Sequence, residues 1–288
     1  LAVVLVFALT QESTAEETPK MDWAGVVTLG IAFLAIYLAI DEVGALAAAN
    51  WGLVAILVVI AVVFFVIFWN IESRKKDPMV TTHYLKQRRT WGLLLTTLLT
   101  MTGVFAIMNG VVPAIAQDPV MGVDMKPDMV SFATLTPYAL LGLCFGPVAG
   151  VLASKFGYRS VLRAGLIVSI AGVLFGIFLS NNASIPSLVI ISVVLGIAYA
   201  GTANIMLNGL GIVLSPEDNP GYLPGMNAGA FNLGAGLSFA VLYAVMDAFA
   251  MNGAQVGYSA AMIASAVLLG AALLVSLFIP KPSDADNS

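Results

Sequence analysis

GPVAGVLASKFGYRSVL, residues 146–162, is the stretch whose reading decides the fold. It starts inside one apolar run, passes through a basic turn built on Lys155, Gly157 and Arg159, and enters a second apolar run at once. A chain that turns this tightly between two apolar runs crosses an apolar layer twice. Read outward from that turn, the chain holds eight such runs, near 24–40, 51–70, 91–116, 132–154, 160–180, 186–214, 224–250 and 258–279. A spanning helix needs about 20 mainly apolar residues, and each run meets that length, with 24–40 near the lower limit. The basic residues then fix the sides. The odd-numbered gaps and the C-terminal tail hold Lys20; Arg74, Lys75, Lys76, Lys86, Arg88 and Arg89; Lys155, Arg159 and Arg163; and Lys281, which is 11 of the 12, while the even gaps hold only Lys126. Loops rich in Lys and Arg stay cytoplasmic, so the expected fold is an all-α polytopic membrane protein with its basic loops and C-terminus in the cytoplasm. Adding or dropping one span would scramble the alternation.

Composition agrees: 60% hydrophobic and 10% charged in 288 residues, against roughly 25% charged in soluble domains. No basic patch suggests nucleic acid. Cys144, the single cysteine, lies inside a run and is expected to be a buried, inert thiol, with no disulfide framework. Residues 1–9 are apolar but cover only about 13 Å as a helix. They read either as a signal-peptide core or as the remnant of a preceding transmembrane helix. The second reading fits the orientation, because it delivers the acidic linker 10–23 and Lys20 to the cytoplasm. The two spans within 24–70 are almost free of polar residues and are expected at the periphery. The basic loop 71–90 is broken by Pro78, and its second half alternates apolar and basic residues, as a short helix on an anionic leaflet would. His83 in that loop reads as a solvated histidine.

The last six spans, within 91–279, divide into helices with and without a polar face. Run 91–116 carries several threonines and Asn109; run 186–214 carries Tyr199, Asn204 and Asn208; run 224–250 carries Asn227, Asn232, Tyr243 and Asp247. Runs 160–180 and 258–279 carry little beyond serines. Gly201, Asn204, Asn208 and Gly211 follow 3-4-3 steps, and Asn232, Gly236, Tyr243 and Asp247 also share a face, so each set forms a stripe. Polar side chains in hydrocarbon turn toward protein or water, so the stripes are expected either to line a polar cleft or to hydrogen-bond neighbouring helices. Asp247 reads as a functional acid or as an interfacial one. The glycines crowding 196–211 and 225–236 are expected to let helix backbones approach closely.

The turn quoted first, Gly146 to Leu162, resembles the G-x-L-a-D-r-x-G-r-r signature of the major facilitator superfamily in its C-terminal-half copy. On that resemblance Gly150 permits close helix approach, Gly157 makes the turn, and Arg159 bonds helix-end carbonyls or an acid; Ser154 replaces the family's Asp and Lys155 its Arg. Asp77-Pro78-Met79-Val80, Leu85 to Arg89, and Pro224 to Gly234 resemble the 14-helix drug:proton antiporter branch. GPVAG at 146–150 is superficially similar to that branch's antiporter signature but sits in the wrong helix.

The resemblance implies a C-terminal six-helix bundle at 91–279 with two extra spans ahead of it, a tail at 280–288, and a missing N-terminal bundle as partner. It implies alternating access for a small amphipathic substrate, proton-coupled export driven by a proton gradient, and neither cofactor nor metal. Asn109, Asn204, Asn208, Asn227, Asn232, Tyr243 and Asp247 are the transport-cavity candidates. An enzyme is not expected: clustered acids, histidines or a nucleophile with its base are missing from the runs, and no phosphate-cradling motif occurs. A scaffold, a sensor or a half-transporter paired with a separate bundle is the other reading.

Overall fold

The computed structural model describes residues 22–45, 48–75, 80 and 82–282. Segment 1–9, most of the acidic linker, Pro78 and the end of the tail lie outside the described residues. Among the described residues, eight helices are long and apolar enough to span a membrane: α1 Trp23–Gly44, α2 Trp51–Glu72, α4 Arg88–Gln117, α5 Pro127–Phe156, α6 Tyr158–Asn181, α7 Ile185–Val213, α8 Tyr222–Ala250 and α9 Ala254–Phe278. A four-residue helix, α3 Thr82–Leu85, lies between α2 and α4. The described residues include no strand.

Caps and turns explain the boundaries. Asp22 accepts from the Gly25 N–H at 2.8 Å to start α1, and Asn50 accepts from the Leu53 N–H at 3.1 Å to start α2. Ser184 and Ser187 form a capping box at the head of α7. Gly157 alone separates α5 from α6 at φ 81°, a conformation that a side chain strains. The turn at 155–159 is thus as tight as its sequence suggests.

The core runs along α4, whose Leu93, Ile107, Met108 and Ile115 are fully buried. Helix α8 closes on α4 at Gly234, where a Cβ would meet Met101 Cβ at 2.5 Å and Leu98 O at 2.8 Å. Helix α7 closes on α5 at Gly196 and on α6 beside Gly165, where a Cβ would lie 2.8 Å from Ala198 O. Five hydroxyls inside the bundle return to their own helix: Thr96, Thr100, Thr102, Ser169 and Ser192 each donate to the carbonyl four residues back. No water is needed to satisfy them. The α1–α2 hairpin leaves most of its surface outside the core and touches α8 near Gly44, where a Cβ would lie 3.0 Å from Ala244 Cβ.

Several expectations need correction. Cys144 is exposed on α5, because among the described residues no helix packs on that face of α5. The glycines of α8 do not act together: Gly234 makes the close contact, whereas Gly225, Gly229 and Gly236 have open space over them. Gly150 also faces open space, and the close approach on α5 falls at Gly142, against Ala200 Cβ. Among the described residues, Arg159 bonds no helix-end carbonyl. That work falls to Arg163, whose Nη2 donates to Ser276 O at 3.0 Å, and to Arg88, whose Nε donates to Phe278 O at 2.7 Å. Arg163 sits one helical turn beyond Arg159 on α6 and Arg88 opens α4, and both reach carbonyls at the end of α9.

Candidate functional site

Helices α4, α7 and α8 carry the predicted polar residues, and the structure sorts them into three groups. The first is amides on open helix faces. Asn109, Asn208 and Asn232 are exposed, and Asn204 is half-buried. Their side-chain N–H groups are spent locally: Asn109 donates to Phe105 O at 2.9 Å, Asn232 to Ala228 O at 2.9 Å, and Asn208 to Asn204 O and Oδ1 at 3.0 and 2.9 Å. Asn109 and Asn232 each retain a carbonyl oxygen and a second N–H, Asn208 retains its carbonyl oxygen, and Asn204 keeps its N–H groups. Of these amides, Asn204 and Asn208 are brought into contact with one another, while Asn109 and Asn232 bond only their own helices.

The second group is a single residue. Asn227 is 1% exposed and joins three helices: the Thr97 hydroxyl of α4 donates to its Oδ1 at 2.6 Å, and its Nδ2 donates to Leu207 O of α7 at 3.3 Å. It is set inside the packing and is off the open face. The glue reading describes it, and Thr97 is the partner that sequence reasoning missed.

The third group is Tyr243 and Asp247, which line a cleft of about 350 Å³ with Tyr37, Asp41 and Gly44 of α1 and Phe239 of α8. Asp247 is exposed there. Asp41 lies just past the apolar run 24–40, and its side chain joins the cleft because α1 continues to Gly44. The Tyr243 ring lies over Gly110 of α4, where a Cβ would come within 2.6 Å of its hydroxyl. Phe105, Phe239 and Tyr243 form a ladder of rings with centroids 5.9 Å apart at each step, locking α8 to α4.

Two of these helices change pitch beside the amides. Ile107–Val111 in α4 and Gly196–Ala203 in α7 wind as π-helix. Asn109 lies inside the first segment and Asn204 directly follows the second. Thr202 Oγ1 donates to Ile197 O, five residues back, at 2.8 Å and fills the widened turn. Gly201 faces Phe145 and Gly142 O of α5, and Gly211 faces Asn227 of α8, so the expected four-residue stripe opens only at Asn204 and Asn208.

At the basic turn, Ser154 donates to Val151 O at 2.8 Å, and Lys155 is exposed. At the other end, Asp118 Oδ1 accepts from the Val120 and Met121 N–H groups, which hold its carboxyl below the usual range. Among the described residues, no three histidine, cysteine or acidic side chains group as metal ligands. What the open amide faces offer is hydrogen bonding by neutral groups, and the cleft at Tyr243 adds the carboxylates of Asp41 and Asp247.

The Major Facilitator Superfamily model matches residues 23–239 and again 112–288. The chain is 53% identical over 290 residues to a uridine/deoxyuridine transporter of Lactococcus lactis subsp. cremoris (strain MG1363), covering 99% of this chain and 60% of the relative. It is 23% identical over 185 residues to multidrug resistance protein 3 of Bacillus subtilis (strain 168), covering 63% of this chain and 34% of that protein. The chain therefore spans 60% of the length of the first relative and 34% of the second.

Proposed function

This chain belongs to the major facilitator superfamily and is a multi-pass membrane protein of a transporter family, and from that premise we propose that it forms the C-terminal bundle of a secondary transporter for a pyrimidine nucleoside. A preceding helical bundle completes the central site, and the basic loops face the cytoplasm. The observation that carries this reading is the set of amides on open faces of α4, α7 and α8. Inside a membrane such faces are costly against lipid, so they favour a polar cavity shared with a second bundle. Asn109 and Asn232 each still offer one donor and one acceptor, and a uracil ring presents a complementary N–H between two carbonyls. The 53% identity to the Lactococcus lactis uridine/deoxyuridine transporter supports the same solute class. Uptake of labelled uridine by cells expressing the complete transporter tests it. Competition by deoxyuridine but not by purine nucleosides is expected, and no uridine movement in either direction would overturn it.

A second reading is proton-coupled export of amphipathic molecules. It is favoured by a largely apolar cavity of about 840 Å³ between α1, α4 and α8, lined by Leu29, Phe33, Leu94, Leu98, Met226 and Leu233. The multidrug resistance relative points the same way. Gradient-dependent efflux of lipophilic cations, with no uridine flux, would favour it.

A further inference from the structure

At the ends of α1 and α2 nearest the basic loop, two carboxylates meet away from water. Asp22 is 8% exposed and Glu72 is 1% exposed. Asp22 Oδ1 caps Gly25 and pairs with Lys75, while Glu72 Oε2 accepts from the Val80 N–H at 2.7 Å. Their remaining oxygens, Asp22 Oδ2 and Glu72 Oε1, are buried without a hydrogen-bond donor. Both converge on one point, since a Cβ built on Gly25 would lie 2.5 Å from Glu72 Oε1 and 2.8 Å from Asp22 Oδ2. Among the described residues, Lys75 is the charged group facing the pair, and α8, which also packs on α1, carries no charge but Asp247 at its far end.

Two ionised carboxylates and one ammonium would leave a buried net negative charge and two facing, unsatisfied acceptors. A metal cation would find two free oxygens, too few for the hard cations that carboxylates bind. One proton resolves everything: carried on Glu72 Oε1 and donated to Asp22 Oδ2, it satisfies both oxygens and brings the cluster to neutrality with Lys75. We propose that Asp22 and Glu72 form a proton-binding site in which one shared proton bridges Glu72 Oε1 and Asp22 Oδ2 at neutral pH. Asp22 is the accepting carboxylate, because the hydrogen bond from Lys75, foremost, and the Gly25 N–H hold its carboxyl down at about 2. The proton enters from and leaves to bulk water on the basic-loop side, and its loss sets two like charges together at the seam that holds Val80. The site is separate from the amide faces and does not depend on which solute they bind.

The experiment uses the complete transporter in lipid nanodiscs. Infrared difference spectra between neutral and alkaline pH are expected to show the carbonyl stretch of one protonated carboxyl disappearing, and Glu72→Gln is expected to remove that band at every pH. A second readout needs no folding-sensitive charge change. Val80 is 4% exposed, so Val80→Cys in a Cys144→Ser background reports opening of the seam by maleimide labelling. Exposed Ser73→Cys corrects for the pH dependence of thiol reactivity. The corrected rate is expected to rise about tenfold at alkaline pH, one pK unit's worth of differential interaction, and to stay flat with Glu72→Gln. An unchanged carboxyl band in Glu72→Gln would overturn the proposal. So would a Val80→Cys rate that follows sodium rather than pH, or one that rises equally in both backgrounds.

Discussion

Asn227 and Asn232 are five residues apart on α8, yet the structure assigns them opposite consequences. In Asn227→Ala the Thr97 hydroxyl loses its acceptor and Leu207 O loses its donor, both across helix interfaces. Interhelical hydrogen bonds within membranes contribute about 0.6 kcal/mol on average and at most about 1.7. Two of them therefore set a destabilisation of about 1–3 kcal/mol. In Asn232→Ala the lost bond is to Ala228 O of the same helix, on an exposed face, so the change in stability stays within about 0.5 kcal/mol. Thermal unfolding of the purified complete transporter in detergent, followed by tryptophan fluorescence, measures the first quantity. Uptake per folded molecule measures the second. The expected pattern is a lower melting point with normal specific uptake for Asn227→Ala, and a normal melting point with reduced uptake for Asn232→Ala. Equal destabilisation by both, or an Asn227→Ala protein that melts normally and fails to transport, would refute the division into packing and open-face amides.

Asn208→Leu is expected to lower uptake about tenfold or more, the cost of leaving a solute hydrogen bond unmade, while Ile167→Ala on the exposed face of α6 leaves uptake unchanged. Ser169 is unsuitable as that control, because it is fully buried and bonded to Gly165 O. Gly234→Leu drives a side chain into Met101 and the Leu98 carbonyl. Overpacking of this kind costs about 1–3 kcal/mol or more, and a sharp fall in folded yield by size-exclusion chromatography checks it. The Asp22 carboxyl is lowered from 3.8 to about 2, chiefly by Lys75, so its contribution is complete above about pH 4 and is lost as pH falls toward 2. Lys75→Met should therefore destabilise at neutral pH and flatten the acid limb of a pH–stability profile. An unchanged acid limb would show that Lys75 does not hold that carboxyl down.

The spans were legible because each is an apolar run of membrane length, and the tight turn was legible because Gly157 alone adopts its φ without strain. Which polar residue faces where was only partly legible. Asn227 and Asn232 differ by five positions, about 140° around a helix, but sequence periodicity does not say which side a neighbour occupies. Thr97, which decides Asn227's role, is 130 residues away. Arg163 and Arg159 are one helical turn apart and equally basic, and what separates them is the end of α9, more than 100 residues downstream. The approach at Gly142 and the open space at Gly150 likewise depend on where α7 crosses α5.

The π-helical turns explain where a simple helical wheel stops working. Each adds a residue to the turn, so side chains on its two sides keep separate registers. Gly201 lies inside the turn of α7 and points its Cα at α5, while Asn204 and Asn208 follow the turn and remain open. Within the widened turn the Thr202 hydroxyl also reaches back five residues and donates to Ile197 O, so its own hydrogen-bonding need is met inside the helix, as hydrocarbon demands. The described π segments fall in α4 and α7, one around the exposed Asn109 and the other ending at the half-buried Asn204, whereas α8 presents the exposed Asn232 on regular α-helix. In α4 and α7 the change of register lets the helix keep its core contacts on one side of the turn and present a polar group on the other; α8 needs no such change, because Asn232 lies on a face that its core contacts at Gly234 and Asn227 leave free.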